Sequence, residues 1–286
     1  MAEIVFAAGV PHAPGYVGLF DKAPAEDQRV IAASYKAIRQ RLARARPDVL
    51  IVFANDHLTN SRIREYPDFL IGGGDEHAGP HEWFKPWIGC RDYTVRGNPE
   101  VAKALFRGMT RRDVRMNISA GPLKLDDNIS VPVTMTDFDT LGIDLVPIMQ
   151  NCTVPPYPDG QRCYEIGLKL AELIRNDLPA KMRVGLMGSG GLSHEPGGAR
   201  YFKIDEAFDR RFIELCVQGD HKTLIAEMTP DRMEEAGRGG TPELYAWFPI
   251  MAAIGECTGE TYGYSGWTSF RCGFGAVIWN LDTRRN

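Results

Sequence analysis

Residues 48–54 read Asp-Val-Leu-Ile-Val-Phe-Ala, an apolar run with no polar side. A strand that is apolar on both faces must be covered on both. That selects a parallel sheet sandwiched by helices over a sheet with one wet face. The flanking residues agree. In residues 25–46, Val30, Ile31, Tyr35, Ile38 and Leu42 fall on one helical face, and Pro47 ends the helix. The same alternation recurs along the chain. Short apolar runs at 3–8, 143–149 and 183–187 read as strands, and 98–111, 161–177, 205–217 and 242–255 read as helices. Residues 60–96 are irregular, and 260–265 and 273–280 read as closing strands. With no internal repeat or long linker, the expected fold class is α/β. It is a single domain over residues 1–286, with a mostly parallel or mixed central sheet flanked by helices.

Composition removes several classes of function. A net charge of −4 with 24% charged residues leaves no basic footprint for nucleic acid. The basic cluster from Arg107 to Arg115 is broken by Met109, Thr110 and Asp113 and reads as a solvated helix end. No apolar run reaches the roughly 18 residues that a spanning helix needs. The amino terminus, Met1-Ala2-Glu3-Ile4-Val5-Phe6, reads as a strand and lacks the basic start of an export signal. A cytoplasmic protein without membrane partners is expected. The six cysteines are scattered with no CxxC pair, which disfavours both a disulfide framework and a structural zinc site.

Three of the six histidines, His12, His57 and His194, each follow an apolar strand. Strand ends gather on one edge of a parallel sheet, where open α/β sheets place their sites. Two imidazoles and one carboxylate on one face of a metal leave open positions, an arrangement that suits iron(II) in oxygen chemistry. The local candidate for the carboxylate is Glu243, which opens the apolar helix Pro242-Glu243-Leu244-Tyr245-Ala246-Trp247-Phe248. On residue pattern alone, an acid favouring a helix N-terminus explains Glu243 equally well. A zinc-dependent hydrolase also accepts two histidines and a carboxylate. A non-catalytic metal-binding relative on the same fold is a further alternative. Asp56 reads either as a partner orienting His57 or as the start of an Asx-turn. The glycine-rich turn before His194 lacks the Lys-Ser/Thr ending of a phosphate loop.

Five stretches in order along the chain carry a family resemblance. They are Val10-Pro11-His12-Ala13-Pro14, Asn55-Asp56-His57, residues 155–163 (PPYPDGQRC), residues 188–194 (GSGGLSH), and Gly240-Thr241-Pro242-Glu243-Leu244 with Trp247. In these the chain resembles the catalytic beta subunit of class III extradiol ring-cleavage dioxygenases, the protocatechuate 4,5-dioxygenase type. The resemblance implies His12, His57 and Glu243 as Fe(II) ligands and His194 as the acid–base residue. It implies insertion of both atoms of O2 into a catechol-like or hydroxypyridone ring, with ring opening. The partners it implies are that small aromatic substrate and O2. A homo-oligomer is expected, with or without a separate small alpha subunit.

One departure stands out. Enzymes of this class usually carry a further histidine just before a Val-Pro or Gln-Pro pair. Here the stretch is Leu125-Asp126-Asp127-Asn128-Ile129-Ser130-Val131-Pro132, and counting back puts Asp127 in that place. As a substrate-binding residue, Asp127 would disfavour an anionic group nearby and favour an N–H or cationic ring, such as a hydroxypyridone. A surface Asp-Asp-Asn turn explains the stretch equally well.

Overall fold

The computed structural model describes residues 1–284, and the side chain of Trp87 lies outside the description. The strands are β1 (Glu3–Val10), β2 (Val49–Asn55), β3 (Phe69–Ile71), β4 (Glu76–Gly79), β5 (Tyr93–Arg96), β6 (Asn117–Ile118), β7 (Asp144–Gln150), β8 (Arg183–Ser189), β9 (Gly259–Glu260) and β10 (Val277–Trp279). Eight of them form one sheet in the order β6-β3-β7-β2-β8-β1-β10-β9, and β4 pairs with β5 separately. The centre β7-β2-β8-β1 is parallel. β3 joins β7, and β10 joins β1, antiparallel. The mixed α/β sheet expected from the sequence is present.

The 48–54 run sits at the heart of this sheet. Val49, Ile51 and Phe53 enter one hydrophobic cluster, and Leu50, Val52 and Ala54 enter the other. Helices Ala25–Ala45 and Asp127–Thr136 cover the second face. Helices Pro99–Thr110, Gly160–Asp177, Glu206–Gln218 and Phe248–Ile254 cover the first. Asn98 and Asp159 cap two of these helices, accepting from Val101 N–H and Arg162 N–H. No helix among the described residues is long and apolar enough to cross a membrane.

Several local expectations change. The irregular stretch 60–96 contains three short strands and a helical turn at Lys85–Ile88. The 242–255 stretch begins as a 3-10 segment, Thr241–Trp247, before turning α-helical. The carboxy-terminal strands shrink to β9 and β10, which pair antiparallel, with an isolated bridge between Ser265 and Phe274 in the segment that joins them. Asp126, Asp127 and Asn128 are no surface turn. All three are buried, and Asp126 caps the 127–136 helix by accepting from Asn128 N–H at 2.9 Å. Asp, Asn and an internal proline mimic a turn in sequence because each weakens a helix interior, yet the same residues suit a helix start.

His77 on β4 is wholly buried with no protein hydrogen-bond partner on either ring nitrogen, and burial lowers its pKa to about 4. The unfolded value is about 6.5. Between those values the unfolded chain takes up a proton that the folded protein refuses. This contribution to stability is therefore complete above pH 6.5 and is lost as pH falls from there through 4. His77→Leu removes the effect. The stability gap between variant and wild type should move in the variant's favour by about 3 kcal/mol between pH 7.5 and pH 4. Denaturant titrations at both pH values check this, and a gap that does not change with pH contradicts it.

Candidate active site

Parallel pairing aligns the carboxyl ends of the central strands. Val10 of β1 pairs with Ser189 of β8, Ser189 with Ala54 of β2, and Asn55 with Gln150 of β7. His12, His57 and His194 leave from this one edge, as their placement after β1, β2 and β8 predicts. Their rings converge on the carboxylate of Glu243. His57 Nε2 lies 3.0 Å from Oε1, His12 Nε2 3.2 Å from Oε2, and His194 Nε2 3.5 Å from Oε1.

Each imidazole presents Nε2 for a traceable reason. In the 127–136 helix, Pro132 has no N–H to give to the Asn128 carbonyl four residues back. Ser189 Oγ donates to that carbonyl instead, at 2.5 Å. A hydroxyl has one proton, so the 3.0 Å contact between His12 Nδ1 and Ser189 Oγ must have the histidine as donor. The neutral ring therefore carries its lone pair on Nε2. For His194, Nδ1 donates to the Leu192 carbonyl at 2.7 Å, which again leaves the lone pair on Nε2. For His57, Nδ1 stands 3.2 Å from carboxylate oxygens of both Asp126 and Asp127. Asp56 does not orient this ring. It accepts from Asn60 N–H and Ser61 N–H, four and five residues on, and so closes a wider loop than the expected Asx-turn, which uses the N–H two residues on.

His57 and Leu58 both have left-handed backbones, with φ of 36° and 62°. Strain of this kind, of order 1–3 kcal/mol per residue, persists where surroundings over-determine it. Here the two aspartates and Glu243 hold the ring. Burial disfavours the charged form of His57, but Asp126, Asp127 and Glu243 outweigh it and raise its pKa well above the usual value. Burial pushes the Asp127 carboxyl up, and the attraction of His57 outweighs this and lowers it. Asp126 is equally close to His57 but lacks the additional pull of His12, and its burial raises it.

Glu243 owes its position to the edge of β8. A side chain at Gly190 would sit 2.3 Å from the Glu243 carbonyl oxygen, so only glycine admits the Thr241–Trp247 segment this close. The carboxylate also receives Asn55 Nδ2–H at 3.3 Å and Gly191 N–H at 3.2 Å. Burial opposes its charge, but His194, His57 and His12 hold its pKa well below the carboxylate range. For His194, burial favours the neutral form, while Cys272 and Glu243 outweigh it and raise the pKa well above the usual value.

Gly240 packs against His194. An added Cβ would lie 2.5 Å from ring Cδ2 and 2.6 Å from Nε2, although its φ of −113° suits any residue. The same Cβ would lie 2.5 Å from the His194 carbonyl oxygen, so Gly240→Ala should displace the ring together with the backbone that carries it. A displacement near 1 Å is expected to lower kcat by about 10- to 100-fold, with bound metal retained. Steady-state kinetics with metal analysis checks this, and wild-type kcat in the variant would contradict it.

The cluster opens into a cavity of about 580 Å³ whose lining includes His12, His57, Asp127, His194 and Glu243. All five site residues expected from the sequence thus share one cavity. Trp83 and Phe84 from the 60–96 stretch also line it. His77 does not, and no lining position belongs to His81. His221 is not at the surface. It is buried, with Nδ1 3.0 Å from Tyr164 Oη. Arg162 does not line the cavity and stands 3.8 Å from Glu165. Asn55, Asp126, Ser189 and Cys272 went unrecognised. Asn55 and Ser189 lie inside two of the quoted stretches, but no residue pattern separates them from ordinary strand ends.

The donor set suits a metal. Once every Nδ1 holds its proton, three Nε2 lone pairs and a carboxylate face each other, and only protons or a cation can lie between them. Among the described residues, ligand atoms of His12, His57 and Asp127 lie within 4.8 Å of one another. Glu243 and Asp127 therefore compete as the carboxylate. Asp127 approaches His57 from the Nδ1 side, whereas Glu243 meets the Nε2 atoms of both histidines.

Comparison with known proteins follows the same lines. The family described as "Catalytic LigB subunit of aromatic ring-opening dioxygenase" matches residues 6–275. A 2,3-dihydroxyphenylpropionate/2,3-dihydroxicinnamic acid 1,2-dioxygenase of Burkholderia vietnamiensis is 24% identical, over 91% of this chain and 92% of the relative. Its counterpart from Paraburkholderia phymatum is 28% identical over 91% and 92%, and that from Klebsiella pneumoniae 25% over 93% and 95%. The crystal structure of an uncharacterized protein from Escherichia coli K12 shares the fold. Its TM-score is 0.57 at 13% identity, covering 96% of this chain and 100% of that one.

Proposed function

Because the chain belongs to the family of catalytic LigB subunits of aromatic ring-opening dioxygenases and is an extradiol ring-cleavage dioxygenase, we propose that it works with iron(II) held by His12, His57 and Glu243. The observation that carries this is the convergence of Nε2 of both histidines on the two oxygens of Glu243, at 3.2 and 3.0 Å. Imidazole and carboxylate ligands with open positions suit non-haem iron. When bound, iron(II) supplies the redox chemistry needed to join dioxygen to an aromatic ring.

The chain's own residues do the rest. The substrate offers two adjacent ring oxygens, as either a catechol-like diol or a hydroxypyridone does. The relatives are named for a diol of the first kind. His194 Nε2 takes the hydroxyl proton, with the ring held by its Nδ1 bond to Leu192. The same nitrogen returns that proton during cleavage, a role that needs a pKa near the working pH. A cation beside Glu243 would cancel part of the carboxylate's pull on His194 and bring it toward that range. Asp127 forms part of the substrate wall while its charge balances His57. Phe84, Phe270 and Pro196 line the cavity and exclude water from the reacting ring.

Reconstitution under anaerobic conditions with Fe(II), Mn(II) or Zn(II), followed by exposure of a catechol and a hydroxypyridone to air, tests the reading. Ring opening should require Fe(II) and dioxygen. Equal turnover with Zn(II) in the absence of dioxygen would replace it with a hydrolase.

A further inference from the structure

Arg271 lines the same cavity and is its only arginine or lysine among the described residues. Its guanidinium lies 4.5 Å from the ring centre of Tyr201 and 5.5 Å from that of Phe202. It also donates to Tyr201 Oη. No carboxylate among the described residues pairs with it. By contrast Arg91, Arg112, Arg200 and Arg211 are each tied to acids. The residue also holds a left-handed backbone, φ 65°, at the end of the Thr268–Phe270 turn. A non-glycine residue in that region is held there by its surroundings.

These features describe an exposed cation on the cavity wall, held against two rings and without a carboxylate partner among the described residues. Two aromatic rings limit the guanidinium's motion, so little freedom remains to be lost on binding an anion. The rest of its planar fork of donors has no protein acceptor among the described residues, and that fork matches a carboxylate with two parallel hydrogen bonds. Asp127, the other charged wall outside the His194–Glu243 cluster, already faces His57 and makes no ion pair with Arg271.

We propose that Arg271 is the anion subsite of this cavity and that the substrate is an aromatic diol bearing a carboxylate on a side arm. The proposal rests on the dioxygenase reading for the diol and on Arg271 alone for the acid. Arg271 sets which diol is taken and where its arm points.

The test compares a catechol bearing a propionate arm with its primary amide, in wild type, Arg271→Met and Arg271→Lys. Wild type should favour the acid in kcat/KM. Arg271→Met should lower the acid-to-amide ratio by about 10- to 50-fold, mainly through KM, and Arg271→Lys should recover part of it. Arg271→Gln stands in if the methionine variant misfolds. Calorimetric binding of 3-phenylpropionate and 3-phenylpropanamide, which lack the diol, gives a readout independent of turnover. Acid preference in binding that disappears in Arg271→Met, with no ring opening of any diol, would sustain the subsite and overturn the dioxygenase reading. Ring opening with an acid-to-amide ratio unchanged within twofold would overturn the subsite and leave that reading standing.

Discussion

His194→Ala is expected to lower kcat by about a thousandfold while the protein still binds its metal. A positioned acid–base group contributes roughly 10²- to 10⁴-fold. His194 is suited to that task by its Nε2 lone pair, fixed by the Leu192 carbonyl, and by its place on the cavity wall. Its ring stands 3.5 Å from Glu243, the longest of the three contacts, so its loss leaves His12, His57 and Glu243 in place. The expected signature is a collapse of kcat with metal content near one per chain. The basic or acidic limb of the pH–rate profile that His194 governs should vanish with it. Loss of metal in the same variant would make His194 a ligand instead and require another proton handler.

Glu243→Gln is expected to weaken metal binding by roughly a hundredfold or more, since a ligand charge is lost as well as a donor atom. The amide keeps the side chain's size, and Asn55 and Gly191 can still donate to its oxygen. The fold should persist, because the Thr241–Trp247 segment is held by packing against Gly190 and by buried Leu244, Tyr245 and Trp247. His57 and His194 lose a shared counter-charge, so their pKa values should fall from their raised positions. Metal titration and histidine NMR on the variant read both effects. Wild-type affinity in Glu243→Gln would move the carboxylate ligand to Asp127, the competing acid beside His57.

The sequence made the sheet legible wherever burial was complete. β2 has no polar side, and its alternate residues enter two separate cores. The histidines could be suspected because each ends such a strand. Glu243 could not be singled out among 37 acids without the family resemblance. Its position depends on how closely Gly190 lets another segment approach, a contact with no local signal. The 127–136 helix was hidden because Asp-Asp-Asn and Pro132 resemble a turn. The same proline releases the Asn128 carbonyl that Ser189 then uses to fix the His12 tautomer. That relay joins three distant segments and exists only in the folded chain. Asp56 fits neither of its two readings, because its carboxylate accepts from N–H groups four and five residues on and closes a wider loop than an Asx-turn.

Mass spectrometry of the product formed from a catechol under isotopically heavy dioxygen, with the Fe(II)-loaded protein, tests the central claim most directly. The account predicts a ring-opened product carrying both heavy oxygen atoms, and none when iron is withheld. A product with no heavy oxygen, or one formed equally well without dioxygen, would contradict it.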